Sequence, residues 1–160
     1  MDESLFTHIN NTQQWVVGMI NITAKNIRIE IVNDRITETL KMIIAKHLGK
    51  GNIIHTDLWP GYNYLTNSNS GHQHITSNHS IMQFGLTAQI ESIWDNLKDI
   101  IKKLYTTIPA RNFVYFLREA EYRHMIYNLS ISDKIINFAD LLITLNGNEE
   151  LFTLSEDELK

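Results

Sequence analysis

Three acidic side chains stand where chemistry could gather: Asp2 in "MDESLF", Asp57 closing "GNIIHTD", and Glu91 in "TAQIESIWDNLKDIIKKLY". Carboxylates are hard oxygen ligands. Converging at one sheet edge, they can hold Mg²⁺, which shares its coordination shell readily with substrate phosphates. Two such ions about 4 Å apart activate a water or hydroxyl and stabilise the leaving oxygen of a phosphoryl transfer. Each acid also has a plainer reading. An Asp at the end of a strand commonly caps the turn that follows. Glu91 shares a helix flank with Asp95, Lys98 and Lys102, which reads as a solvated face of weak ion pairs. Asp2, next to a terminus, reads as disordered.

Histidines offer a rival chemistry. His72 and His74 share one face of an extended segment and His79 follows, so with a carboxylate they could bind Zn²⁺. The spacing matches no closed zinc motif, and packed or hydrogen-bonded histidines in a cleft are the simpler account. His124, on an apolar stripe, reads as a satisfied core histidine.

The elements that must position these groups follow from periodicity. "WVVGMINI" (15–22) is apolar and β-branched, a buried strand. "NIRIEIV" (26–32) alternates, with Ile27, Ile29 and Ile31 on one face and Arg28 and Glu30 on the other. The spacing of Leu40, Ile43, Ile44 and His47 predicts a helix over 37–51, with Thr37 as its cap and Gly49 near its end. A strand then ends at Asp57, "PGYNYL" turns, "TNSNSG" is a loop and "HQHITSN" is a short strand. Ile90, Ile93, Trp94, Leu97, Ile100, Ile101 and Leu104 make one stripe of a long helix. Pro109 opens a helix whose stripe is Phe113, Phe116, Leu117, Ala120 and His124. A last helix should bury Ile135, Ile136, Ala139, Leu142 and Ile143 and stop before Asn146. The order implies a mixed α/β domain over 1–146 followed by an acidic, frayed tail over 147–160.

Totals exclude several classes. The 160 residues suffice for one cored domain, and 43% hydrophobic with 20% charged residues is ordinary for a globular chain. A net charge of −4 argues against strong non-specific nucleic-acid binding, although a local basic patch remains open. There is no cysteine, hence no disulfide and no thiolate metal site. No apolar run reaches membrane-spanning length and no signal peptide is legible, so an intracellular protein is expected. Asn-x-Ser/Thr triplets at Asn10, Asn21, Asn78 and Asn128 are by-products of an Asn-rich composition.

Taken in order, "DESLF", "QWVVGMI", "HTDLWPGY", "SNHS" and "IESIWDNLK" resemble the motifs of Merlin-type DDE transposases and their bacterial insertion-sequence relatives with the ISXO-like transposase domain. The likeness runs from about Asp2 to Asn128. It implies a ribonuclease-H-like fold, an antiparallel group of strands plus a parallel strand bearing Asp57, and a helical C-terminal part. It implies a nuclease and strand-transferase using two Mg²⁺ or Mn²⁺ ions on double-stranded DNA at transposon ends. Residue by residue, Asp2, Asp57 and Glu91 match the acidic triad, and their last interval, 91 − 57 = 34, suits such enzymes. Lys98 matches the lysine that follows the Glu, two turns along the same face. Lys98, Lys102, Lys103 and Arg111 form the expected DNA-facing patch, whose plainer reading is a solvated helix face. Trp59 and Tyr62 read as packing or DNA-positioning residues. The resemblance also implies self-association, and residence in the nucleus of a eukaryote or the cytoplasm of a bacterium.

The sequence departs from the pattern in three places. Relatives carry a DNA-binding region and a strand leading into the first Asp, whereas here Met1 directly precedes Asp2, so an N-terminally truncated domain with a loosely held Asp2 is expected. "THINNTQ" lacks the basic, glycine-containing insert, and Ala88 replaces a polar residue. Two functions stay open on this reading: a metal-dependent transposase impaired by truncation, or a catalytically inactive relic repurposed for protein interaction.

Overall fold

The computed structural model describes residues 1–7, 12–24, 26–77, 87–101 and 109–147. Three strands, β1 (Asp2–Thr7), β2 (Gln13–Asn21) and β3 (Asn26–Val32), form an antiparallel sheet in the order β1-β2-β3. Register is set by pairs such as Asp2 with Gly18 and Gly18 with Ile29. Helix α1 (Thr37–His47) leads to β4 (Ile53–Thr56), which pairs in parallel with β5 (Gln73–Thr76). Between them lie two 3₁₀ turns, Pro60–Thr66 and Ser68–Ser70. The Met1 amino group donates to the His55 carbonyl at 2.8 Å, which brings the head of β1 beside β4. Helices α2 (Thr87–Ile100), α3 (Ala110–Ile126) and α4 (Ile131–Gly147) follow.

Strand alternation sorts the core into two layers. Phe6, Val16, Ile27 and Ile29 face Ile90, Trp94 and Leu97 of α2 and Phe113, Phe116 and Leu117 of α3. The opposite face, with Val17, Met19 and Val32, packs on Leu40, Ile43 and Ile44 of α1 together with Ile54, Tyr62 and Leu65. The open edge of β3 is closed by side chains. The buried Glu121 carboxylate accepts the Ile29 N–H, while Arg118 donates to the Ile29 carbonyl at 2.9 Å and to Glu121 at 2.8 Å. An edge strand whose amide and carbonyl are both occupied cannot template another strand there.

Several expectations need correction. A strand does start at the first acid: β1 runs onward from Asp2, pairs over its six residues with β2, and is pinned by Phe6, edge-on to Trp94 at 6.0 Å and 5.3 Å from Phe113. Thr37 does not cap α1. Ile36 occupies the cap position, and Asp34 instead accepts the Ile36 N–H and the Thr39 hydroxyl. His124 is exposed, one turn beyond the buried part of its stripe. The apolar residues of α4 that were expected to be buried are exposed, Ile135 at 65% and Ile143 at 70% among them. That helix runs through Gly147, and Ser130, whose hydroxyl accepts the Asp133 N–H, caps its start. Asn10, Asn78, His79, Lys102, Lys103, Leu104, the "NHS" of "SNHS" and the tail from 148 lie outside the described residues.

Candidate metal centre

Asp2 and Asp57 sit where β1 begins and just after β4 ends, and Glu91 lies in the second turn of α2. Gly18 makes the first placement possible. It lies opposite Asp2 on β2, and a Cβ there would fall 2.4 Å from Cζ2 and 2.5 Å from Cη2 of Trp94. Without that Cβ the Trp94 ring, 3% exposed, lies down on β2. Its Nε1–H then donates to Asp2 Oδ2 at 3.0 Å. The expectation of a loosely held Asp2 therefore fails, because Trp94 and the Glu3 amide both hold its carboxylate.

Asp57 is fixed from its own side. The Trp59 N–H donates to Asp57 Oδ1 at 2.9 Å, the Asx turn anticipated for an acid at a strand end. Behind it, His74 Nε2 lies 2.8 Å from the Thr56 hydroxyl, which donates to the Asp57 carbonyl at 2.7 Å. With the Thr56 proton so committed, His74 must be the donor, so its proton sits on Nε2. Burial, and then the nearby His55, hold His74 below its ordinary value. Among the described residues, no group of three histidine, aspartate or glutamate side chains is arranged to hold a metal ion by itself.

The carboxylates nevertheless sense one another. Burial first, and then the charge of Asp57, push the Asp2 carboxyl up to about 6; Glu91 adds a smaller push, and N–H donors from Glu3 and Trp94 pull back. Glu3, on the other face of β1, is pushed up to about 8 by burial and by the charges of Asp2 and Asp57, against the pull of Arg35. Its carboxylate accepts the Tyr62 hydroxyl. Tyr62 is 1% exposed and packs with Leu40, Ile54 and Leu65.

Of the basic residues, Lys98 is exposed on α2 with its Nζ 5.5 Å from the Phe6 ring centroid, and Arg111 is exposed in the first turn of α3. Residues not singled out from the sequence also shape the site: Glu3, Trp94, Gly18 and Arg35. The Arg35 guanidinium lies over two rings, 4.5 Å from the centroid of Trp15 and 3.5 Å from that of Trp59. The tryptophans were visible as letters, but only long-range pairing brings them to one cation.

The sequence pattern of the ISXO2-like transposase domain matches residues 5–124. No curated protein matches. Among solved structures, the chain is similar to the catalytic core domain of BIV integrase, 14% identical over 78% of this chain and 79% of that one, with a TM-score of 0.46. It is also similar to a chain of the simian T-cell lymphotropic virus intasome in complex with PP2A regulatory subunit B56 gamma, 18% identical over 81% of this chain, with a TM-score of 0.54. The match covers 48% of that second chain, about half its length. The fold is ribonuclease-H-like. No helix among the described residues is long and apolar enough to cross a membrane.

Proposed function

The chain belongs to the ISXO2-like transposase family, and we propose that it is a DDE-type catalytic domain in which Asp2, Asp57 and Glu91 hold divalent metal for cleaving and joining DNA strands. The observation that carries this reading is the hydrogen bond from the Met1 amino group to the His55 carbonyl, which sets Asp2, at the head of β1, beside the end of β4 where Asp57 stands. Negative charges gathered at one half-buried place repel one another, and a dication relieves that cost.

The donor set fits Mg²⁺ or Mn²⁺. Mg²⁺ takes hard oxygens and commonly binds through one or two carboxylates, with water and substrate phosphate completing its shell, so three protein ligands on one ion are not required. Bound there, two ions would lower the pKa of an attacking water and stabilise a leaving 3′ oxygen. The chain's own residues do the rest. Trp94 and the Glu3 amide orient Asp2, and the Trp59 amide orients Asp57 through its Oδ1. Lys98, on the same face as Glu91, and Arg111 contact the DNA backbone. Water is the nucleophile of cleavage and a DNA 3′-hydroxyl that of joining. Duplex DNA at transposon ends is the partner, engaged by a self-associated form.

The test is nicking of supercoiled plasmid in Mg²⁺ or Mn²⁺, with Asp57→Asn as control. Nicked circles from the wild type alone support the reading. No nicking by a protein that melts cooperatively would leave the relic as the account of this fold.

A further inference from the structure

Asp57 is held by the residue two positions on, so whatever holds Trp59 sets where the Asp57 carboxylate points. The Trp59 ring has two restraints from one residue. The Arg35 guanidinium lies 3.5 Å from its centroid, and its Nε1–H donates to the Arg35 carbonyl at 3.0 Å. Gly61 leaves room for the ring, since a Cβ there would fall 2.8 Å from Trp59 Nε1. The same guanidinium also lies over the Trp15 ring of β2, 4.5 Å from its centroid. The backbone at Arg35 is itself steadied by Asp34, which accepts the Ile36 N–H and the Thr39 hydroxyl. A planar cation close to two indoles gains from each, and a compact ammonium does not reproduce such contacts equally well.

We propose that Arg35 is a positioning residue for Asp57: packed against both Trp15 and Trp59, it ties the turn after β4 to β2 and so fixes the carboxylate that the Trp59 amide grips. Arg35 also lies near enough to Glu3 for its charge to act on that carboxyl, so the same side chain spans to β1. The inference deepens the proposed function, because it rests on Asp57 being a metal ligand. Supports of this kind, one step behind the ligands, typically govern metal affinity by ten- to a hundredfold.

The experiment measures Mn²⁺ affinity by electron paramagnetic resonance of unbound Mn²⁺, well below the melting temperature, for wild type, Asp57→Asn, Arg35→Ala and Arg35→Lys. It is paired with kcat and KM for plasmid nicking. Arg35→Ala is expected to weaken Mn²⁺ about tenfold or more. It should lower kcat with little change in KM for DNA, and Arg35→Lys should recover only part of the loss. Wild-type Mn²⁺ affinity in Arg35→Ala overturns the proposal, whether or not the variant melts earlier. So does a raised KM for DNA at unchanged Mn²⁺ affinity, which would make Arg35 a DNA contact. Should Arg35→Ala not fold, Trp59→Phe removes the Nε1–H but keeps a ring; a several-fold loss of Mn²⁺ affinity supports the clamp and no loss refutes it. A wild type that binds no Mn²⁺, or an Asp57→Asn variant that binds as wild type does, overturns the metal site and the clamp together. An intact contrast between those two with Arg35→Ala unaffected overturns the clamp alone.

Discussion

Gly18→Ala is the smallest change that should reach from the sheet to the metal centre. The added methyl would start 2.4 Å and 2.5 Å from two ring carbons of Trp94 and 2.7 Å from Ile90 Cδ1. Carbon atoms settle at about 3.5–4.0 Å, so something must retreat by roughly 1 Å or more. The end of Ile90 can turn aside, whereas a buried indole packed edge-on to Phe6 cannot. Overpacking of this kind costs about 1–3 kcal/mol. A shift of that size also stretches the 3.0 Å bond from Trp94 to Asp2 beyond useful range, and a hydrogen bond to a charged group is worth about 1.5–3 kcal/mol. The two losses overlap, and a net cost of about 3 kcal/mol, or a fall in Tm of roughly 10 °C, is expected. Urea and thermal unfolding followed by circular dichroism measure it. If Gly18→Ala unfolds within about 0.5 kcal/mol of wild type, the Trp94 ring does not rest on β2 at that point and the account of how Asp2 is held is wrong.

Glu121→Ala should cost about 2 kcal/mol in chemical denaturation, since it orphans the buried Ile29 N–H while Arg118 keeps the Ile29 carbonyl; a cost under about 0.5 kcal/mol would show that the β3 edge does not depend on Glu121. Glu3, raised from 4.5 to about 8, gives the folded state an extra proton over that interval, so its contribution to stability is present at low pH and lost as pH rises towards 8. The metal-free wild type should therefore lose on the order of 3 kcal/mol between pH 5 and 8 relative to Glu3→Gln, measured as urea midpoints; Met1 and His74, both held below their ordinary values, push the other way in both proteins. Equal slopes in the two proteins would contradict the burial assigned to Glu3. Lys98→Ala should reduce the slope of log affinity for duplex DNA against log salt by about 1, and an unchanged slope would remove Lys98 from the DNA path.

Much of this fold could be read from the letters because its signals are local. The alternation of Ile27, Ile29 and Ile31, the stripe of Ile90, Trp94 and Leu97, and the Pro109 start all report the nearest neighbours of each residue, and the elements form where those patterns lie. The strand at "DESLFT" was hidden because its apolar content is low and its stability comes from β2, beyond the reach of a window on its own sequence. Tyr62 looked like a residue available to a ligand because aromatics beside an acid often are, but the carboxylate of Glu3, 59 positions away, claims its hydroxyl. The apolar pattern of α4 correctly gave a helix and wrongly gave burial, since periodicity says which face is apolar and not what lies against it. For the site, the three acids came from their company in the sequence and from family likeness. The Trp59 amide holds Asp57 through a local turn, but Trp94 on Asp2 and Arg35 on Trp59 act across 92 and 24 positions, which no local pattern carries.

The central claim is that carboxylates from β1, from the end of β4 and from α2 act as one metal centre. Its most direct test is the Mn²⁺ affinity of the metal-free protein and of Asp2→Asn, Asp57→Asn and Glu91→Gln, by calorimetry at one pH. Binding by the wild type, with a loss of tenfold or more in each of the three variants, is the predicted result. A wild type that takes up no Mn²⁺, or a Glu91→Gln variant that binds as tightly as wild type, would contradict it.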